Sequence, residues 1–330
     1  MERMSHVLPE AVRKTLGESF FVTFWQLGLA DILVPMDRYQ QEINRMRQSI
    51  RDVDAATDLS EGIKKSTRMR LNDSIASLSA ELKDQTLAHQ TTRRRLQAEK
   101  GAWFAPNVDR ALLAQQIVEE CLHPRALLSP TDALFSARFL RLLHTNGTLN
   151  LPTLAVYDAL FLQHIAQTIF SATEDEARNY SRFVNGLLAD TGAWLASEET
   201  FKRDAIGDNL PGFALSWEPT RGSRKRTVDA PLAWESYRTT VLLWHQALHD
   251  AFAACLKSTE YMRSRNALVV MNRVSQHFPL LVEHGKSLQQ AVAWLETHEA
   301  REDICVLAHG LAANLKKRAS GWVGPSYFGL

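Results

Sequence analysis

The sequence predicts an all-α protein, in which antiparallel helix pairs are stacked as an α-solenoid and a helical hairpin projects near the N-terminus. Apolar residues recur at intervals of three and four over most of the chain, and no segment shows the alternating pattern of a half-buried strand. In addition, several helices carry apolar residues on two faces. Such a helix is packed from both sides, as in the middle of a layered stack.

The composition excludes several classes of protein. With 330 residues, 45% of them hydrophobic, 23% charged and a net charge of +1, the chain is typical of an ordinary globular protein of two or more subdomains. The cysteines Cys121, Cys255 and Cys305 are isolated, which argues against a disulfide framework and a thiolate metal site. No apolar run of about 18 residues or signal peptide is recognisable, so we expect a soluble intracellular chain or a fragment of a longer one.

The N-terminal third is predicted to contain two different parts. Residues 1–36 form a buried helical segment, because the densely apolar Phe20 to Val34 ends at Pro35. Residues 37–100 carry narrow apolar seams amid charge, with a break between Ala55 and Gly62, and so predict a charged antiparallel hairpin. Its largely solvated surface indicates a projecting arm.

Residues 101–330 are predicted to form the α-helical stack. Ser129 is a good N-cap before Pro130, and Asp132 complements the dipole of that helix, whose apolar residues lie on two faces. Thr173 and Glu176 predict a capping box at the start of another helix. The other expected helices begin at Pro152, Trp234, Ser258 and Ser287 and just before Ile304, and a long loop is expected at 205–232, where glycine and proline recur without a helical period.

One spacing in the sequence is typical of metal chemistry. His245 and His249 are four residues apart and share a helix face, so both side chains could reach one zinc ion. However, Gln246 stands where a zinc hydrolase needs a glutamate, and no third ligand is evident. Local hydrogen bonding of both histidines is the simpler interpretation, and a phosphate-binding loop or nucleophile elbow is not recognisable. We therefore predict no catalytic residue, cofactor or metal.

Basic clusters are the better candidates for contact with nucleic acid or a protein partner. They are Arg221, Arg224, Lys225 and Arg226 in the long loop, Arg93, Arg94 and Arg95 near the end of the hairpin, and Lys316, Lys317 and Arg318 in the last helical turn. Such clusters can bind phosphates, but they also keep exposed segments soluble, and the loop cluster can equally serve as a nuclear-import signal. Stacking aromatic residues do not interleave with the loop cluster, which argues against a sequence-reading RNA module.

Several segments together resemble the family of the largest subunit of the THO complex, a nuclear assembly within TREX. The segments occur in family order over most of the chain and are 21–27 (FVTFWQL), 34–39 (VPMDRY), 121–139 (CLHPRALLSPTDALFSARF), 173–183 (TEDEARNYSRF), 210–213 (LPGF), 244–248 (WHQAL) and 260–268 (EYMRSRNAL). This subunit is much longer in the family, so the chain resembles its C-terminal helical segment.

The resemblance implies a nuclear, non-catalytic α-helical scaffold. It would bind other THO subunits, present a surface to the DEAD-box RNA helicase of TREX, and meet mRNA indirectly during packaging and export, away from any membrane. Two alternatives remain open from the residues themselves. One is a direct single-stranded RNA-binding module that uses the loop at 221–226, and the other is a metal enzyme at His245 and His249.

Overall fold

The structure is a computed structural model that describes residues 9–207, 210–216 and 230–328. Within these residues the α-helices are, in chain order, α1 Glu10–Leu16, α2 Glu18–Gln26, α3 Leu29–Ile32, α4 Met36–Ala55, α5 Glu61–Glu99, α6 Arg110–Ile117, α7 His123–Leu128, α8 Pro130–Thr145, α9 Thr153–Ala159, α10 Ile165–Ser171, α11 Glu174–Trp194, α12 Glu198–Asp204, α13 Trp234–Leu256, α14 Tyr261–Val274, α15 Val282–His298 and α16 Glu302–Arg318.

Shorter elements complete the description. Single π-helical turns, Val118–Leu122 and Leu160–His164, connect α6 to α7 and α9 to α10. Short 3-10 turns are formed by Pro211–Phe213, Ala319–Gly321 and Pro325–Phe328. The prediction of an all-α protein is confirmed. Within the predicted loop at 205–232, β1 (Ala214–Ser216) and β2 (Ala230–Pro231) form a short antiparallel pair, which the sequence did not indicate.

Residues 27–99 form one compact unit, and the described residues on either side of them form another. In the first unit α4 and α5 are antiparallel, as predicted, and residues 56–60 connect them. Tyr39 donates a hydrogen bond to Glu81 Oε1 at 2.6 Å across the pair. In α4 the one buried residue is Ile43, so the contact between these helices is narrow. The division into domains 1–36, 37–100 and 101–330 stays a prediction.

Most helices of the larger unit form two layers. Helices α6–α7, α9–α10, α13 and α15 follow one another in the first layer, and α8, α11, α14 and α16 follow one another in the second. Each helix packs on its neighbours in the layer and on a helix of the other layer, which is the stacked arrangement predicted for an α-solenoid. The two-sided burial of α8 follows from this arrangement, because both α7 and α11 pack against it.

The N-terminal core is built around α2. Phe20 and Phe24 are fully buried, and the ring centroid of Phe24 lies 5.5 Å from that of Phe135 and 5.4 Å from that of Phe139. The single buried helix expected over Phe20 to Val34 is wrong. The chain leaves the helix after Gln26, and the Asp31 carboxylate accepts a hydrogen bond from the Gly28 N–H, which starts a new helix, α3, with no buried residue.

Helix starts were predicted correctly where local capping determines them. Ser129 Oγ accepts from the Asp132 N–H at 3.0 Å, and the Thr173 capping box is present. Two other starts were wrong: α14 begins at Tyr261, and α15 begins at Val282, five residues before Ser287. No described helix combines the length and the apolar run that a bilayer crossing requires.

Candidate interaction surfaces

Arg125 connects the N-terminal helix to the stack. Its buried guanidinium donates to Asp132 Oδ1 at 2.9 Å and to the Phe24 carbonyl at the end of α2, and it lies 3.8 Å from the ring centroid of Phe135. Hydrogen bonds from Ser129 and Arg125 hold the pKa of Asp132 below its usual value, although partial burial opposes them. The described hydrogen bonds of Arg125 therefore connect α7 to other helices of the chain.

The segment 260–268 connects α14 to the helices α10 and α11. Arg265 forms a salt bridge of 2.7 Å with Glu174 at the start of α11, and the Asn266 amide donates to the Ala172 carbonyl at 2.7 Å. Asn266 thereby satisfies a carbonyl beyond the last turn of α10, which has no partner within the helix. These side chains fix α14 against the preceding helix pair.

Two half-buried carboxylates perform the same role nearer the middle of the stack. Asp190 accepts from Arg141 Nη1 at 2.8 Å and from the Tyr157 hydroxyl at 3.3 Å, and Asp158 accepts from Trp244 Nε1 at 2.7 Å. Burial raises the pKa of both carboxyl groups. A raised carboxyl pKa is also a property of catalytic acids, but here each group is occupied by a donor from another helix.

His144 is enclosed where the segment 210–213 meets α8. Its Nδ1 lies 3.1 Å from Thr153 Oγ1 and its Nε2 3.0 Å from the Asp204 carbonyl, a pattern that requires Nε2 to donate and Nδ1 to accept. Burial lowers the pKa of His144 to about 4. Gly212 lies against Thr153 so closely that a Cβ would overlap the threonine side chain.

The histidine pair of the metal hypothesis is divided between two environments. His245 is buried and stacks on Phe278, and burial lowers its pKa to about 3. His249 instead stacks on His284 at 4.5 Å and bonds Ser287 Oγ at 3.1 Å. Within the described part of the chain, no three His, Cys, Asp or Glu side chains are grouped so that they could hold a metal ion.

The structure places two of the three basic clusters. Arg93, Arg94 and Arg95 are exposed on α5, where Arg95 pairs with Glu99 at 2.8 Å. Lys316 and Lys317 are exposed in the last turn of α16, where their charge complements the helix dipole. The loop cluster Arg221, Arg224, Lys225 and Arg226 lies outside the described residues. Contacts of the three basic clusters with nucleic acid or a protein partner stay predictions.

A groove that the sequence did not predict lies between α13 and α15. It has a volume of about 400 Å³ and is lined by Ala253, Leu256, Lys257, Ser287, Gln290, Ala291 and Trp294. Trp294 is 56% exposed and lies outside the apolar stripe of α15, which contains Leu288, Val292 and Leu295. A large aromatic residue next to, and not within, a core stripe is the sequence signal that could have revealed the groove.

Comparison with known proteins shows which family has these segments. Residues 13–315 match the family Tho2, described as transcription factor/nuclear export subunit protein 2. The chain belongs to the Tho2 family. It is 30% identical to THO complex subunit 2 of Mus musculus over 95% of this chain, 28% identical to that of Arabidopsis thaliana over 100%, and 22% identical to that of Saccharomyces cerevisiae over 92%.

This Tho2-family chain spans about a fifth of the length of the curated relatives, since it covers 20% of the mouse protein, 18% of the Arabidopsis protein and 16% of the yeast protein. The segments that carry the resemblance contain Arg125, Asn266 and Trp244, which join helices of different pairs. Their side chains therefore help to hold the helices of this chain together.

Proposed function

We propose that this chain is a non-catalytic scaffold segment of a nuclear THO/TREX complex. In this role it organises other THO subunits and a DEAD-box RNA helicase for the packaging and export of mRNA during transcription, and it meets mRNA indirectly. The chain belongs to the Tho2 family and its relatives are named THO complex subunit 2, and both facts support its assignment to such a complex. The organisation of the helicase is a more specific proposal than membership of the complex.

One structural observation favours a scaffold role over an enzymatic one. Several ionisable groups within the stack, the buried Arg125 and His144 and the half-buried Asp158 and Asp190, are bonded to donors or acceptors on other elements. A catalytic site needs such groups to converge on a cleft where a substrate can bind. Here they join helices, and broad helical faces remain for protein contacts.

Reconstitution of the complex tests this proposal. The full-length subunit that contains this segment would be co-expressed with the other THO subunits and the helicase, and crosslinking with mass spectrometry would map the contacts of residues 9–328. We expect crosslinks from the segment to at least one other subunit and to the helicase. Assembly of a complete complex with the segment deleted, and with helicase ATPase activity unchanged, would refute the scaffold role.

Direct binding of single-stranded RNA is the alternative, and the basic loop residues 221–226 favour it. If Arg221, Arg224, Lys225 and Arg226 each neutralise one phosphate, replacing all four with glutamine flattens the slope of log affinity against log salt by about 3. Replacement of the exposed Lys202 and Arg203 is the control for general charge. An unchanged slope after the fourfold substitution excludes this alternative.

A further inference from the structure

The groove between α13 and α15 has the features of a prepared binding site. The His298 ring stacks on Trp294 with 4.9 Å between ring centroids and 3° between planes, and His298 Nδ1 lies 3.0 Å from the Trp294 carbonyl. The indole is therefore restrained by this stacking while 56% of the residue remains exposed. A large aromatic side chain that is already ordered loses little conformational entropy when a partner covers it.

The walls of the groove favour a helical occupant. Ala253 on α13 and Ala291 on α15 put only small side chains into the groove, Leu256 lines it although it is buried, and Trp294 is the large apolar side chain exposed there. Helices α13 and α15 run side by side in the same direction, because Gln246 bonds His284 and His249 bonds Ser287 three residues later. A groove between two parallel helices, with the exposed Trp294 in its lining, matches the apolar face of an amphipathic helix.

The charge of the lining determines which helix fits. Lys257 is the one charged residue that lines the groove, and it forms no salt bridge with a carboxylate among the described residues. Asp250, about two turns before the C-cap residue Lys257, already accepts hydrogen bonds from Gln246 and His249. A partner carboxylate beside an apolar anchor would pair with Lys257, whereas a lysine or arginine there would be repelled.

We propose that this groove, lined by Lys257 and Trp294, binds an amphipathic helix of a partner protein that carries a carboxylate beside its apolar anchor residues. The proposal rests on the assembly of the chain into a THO-type complex. Trp294 covers the apolar anchor of the partner helix, and Lys257 pairs with its carboxylate. Neither residue forms part of the buried network that holds the stack together, so the site can be altered without loss of the fold.

The test uses the reconstituted full-length complex with the photo-crosslinker p-benzoylphenylalanine at position 294. We expect the Trp294 variant to crosslink to an apolar, Asp- or Glu-containing helical segment of another subunit. The control is the same crosslinker at Val306, which is 71% exposed on α16 and does not line the groove. A crosslink to RNA, to a second copy of this chain or to a segment without carboxylates overturns the proposal, as does the absence of a crosslink in an assembled complex.

Charge reversal provides the second measurement. Lys257→Glu should lower the yield of the Trp294 crosslink at least tenfold, and reversing the partner's carboxylate to lysine should restore it. Lys286→Glu, on an exposed lysine of α15 outside the lining, should leave the yield unchanged. Equal yields with Lys257 and with Lys257→Glu overturn the charge assignment. If the complex itself does not assemble around the unmodified chain, the proposed scaffold function fails instead.

Discussion

Arg125 and Asp132 form a 2.9 Å salt bridge across the turn between α7 and α8, and the same guanidinium donates to the Phe24 carbonyl that ends α2. One side chain thus joins the neighbouring helices α7 and α8 to α2, and its bond to Phe24 spans 101 residues. Because the guanidinium is buried against the Phe135 ring, its hydrogen bonds are made away from water, where a missing partner is costly.

We expect Arg125→Ala to lower the free energy of unfolding by roughly 2–4 kcal/mol, since Asp132 Oδ1 and the Phe24 carbonyl lose the hydrogen bonds that the guanidinium donates. Urea denaturation measures the change. The control is Lys202→Ala, which removes an exposed i,i+4 pair with Glu198 and should change stability by less than about 0.5 kcal/mol. Equal effects of the two substitutions would show that Arg125 contributes nothing beyond a surface charge.

The aromatic core of α8 provides a second prediction. Phe139 is fully buried between Phe20, Phe24 and Phe135, so Phe139→Ala should cost roughly 3–5 kcal/mol and lower the melting temperature. Leu134→Ala on the same helix is the matched control, because Leu134 is 38% exposed and its loss should cost about 1 kcal/mol. A thermal melt of Phe139→Ala with an unchanged midpoint would contradict this packing.

Gly212 and Gly192 should respond to alanine in opposite directions. At Gly212 the new Cβ would overlap Thr153 and lie 3.1 Å from His144 Nδ1, so the substitution should cost roughly 1–3 kcal/mol. At Gly192, within α11, nothing lies within 4 Å of a new Cβ, and alanine should stabilise the helix by up to about 1 kcal/mol. Chemical denaturation that gave both changes the same sign would refute the close approach at Gly212.

The stability of the stack should fall in mild acid because of His144. Its pKa in the folded protein is about 4, whereas the unfolded chain has the ordinary value of 6.5. Between these values the unfolded state binds more protons, so the stabilisation is complete above pH 6.5 and is lost as the pH falls towards 4. At pH 5 the loss from His144 amounts to roughly 2 kcal/mol.

Urea titrations at pH 7 and pH 5 measure this loss, and the difference between them should shrink by that amount in His144→Gln. His245, whose pKa is lowered to about 3, keeps contributing to the remaining difference in the variant. The interval from pH 7 to pH 8 is the internal reference, because His144 is mostly neutral there in both states. An identical acid response of variant and parent would disprove the assignment.

Local chemistry explains which elements could be predicted from sequence. The starts at Ser129 and Thr173 depend on side chains three residues away, so their patterns were sufficient. The start of α15 depends on tertiary structure: the Val282 N–H donates to the Val323 carbonyl, and such a distant partner leaves no mark in a local pattern. The Arg125 bond to Phe24 spans 101 residues and is equally invisible.

The candidate surfaces were harder to predict than the fold. Helical periodicity identifies the residues that share the buried face of a helix. Trp294 lies beside the buried face of α15, so the periodicity did not indicate it. His245 and His249 share a helix spacing but different surroundings, because α13 turns one towards Phe278 and the other towards His284. Packing between helix pairs determines which neighbour each face of a helix contacts. The spacing of residues along one helix does not predict that neighbour.

The π-helical turns at Val118–Leu122 and Leu160–His164 have a consequence for how this chain tolerates changes in length. A π turn holds one more residue than the α-helical turn it replaces, and the carbonyls that lose their usual donor are free for others, as Glu120 shows by accepting from Trp25 Nε1 at 3.3 Å. Deleting a single residue within either turn would restore ordinary winding and leave the flanking segments facing their present neighbours. The same deletion one turn earlier in α6 would rotate everything before it by about 100°, and its apolar side chains would then point away from the core.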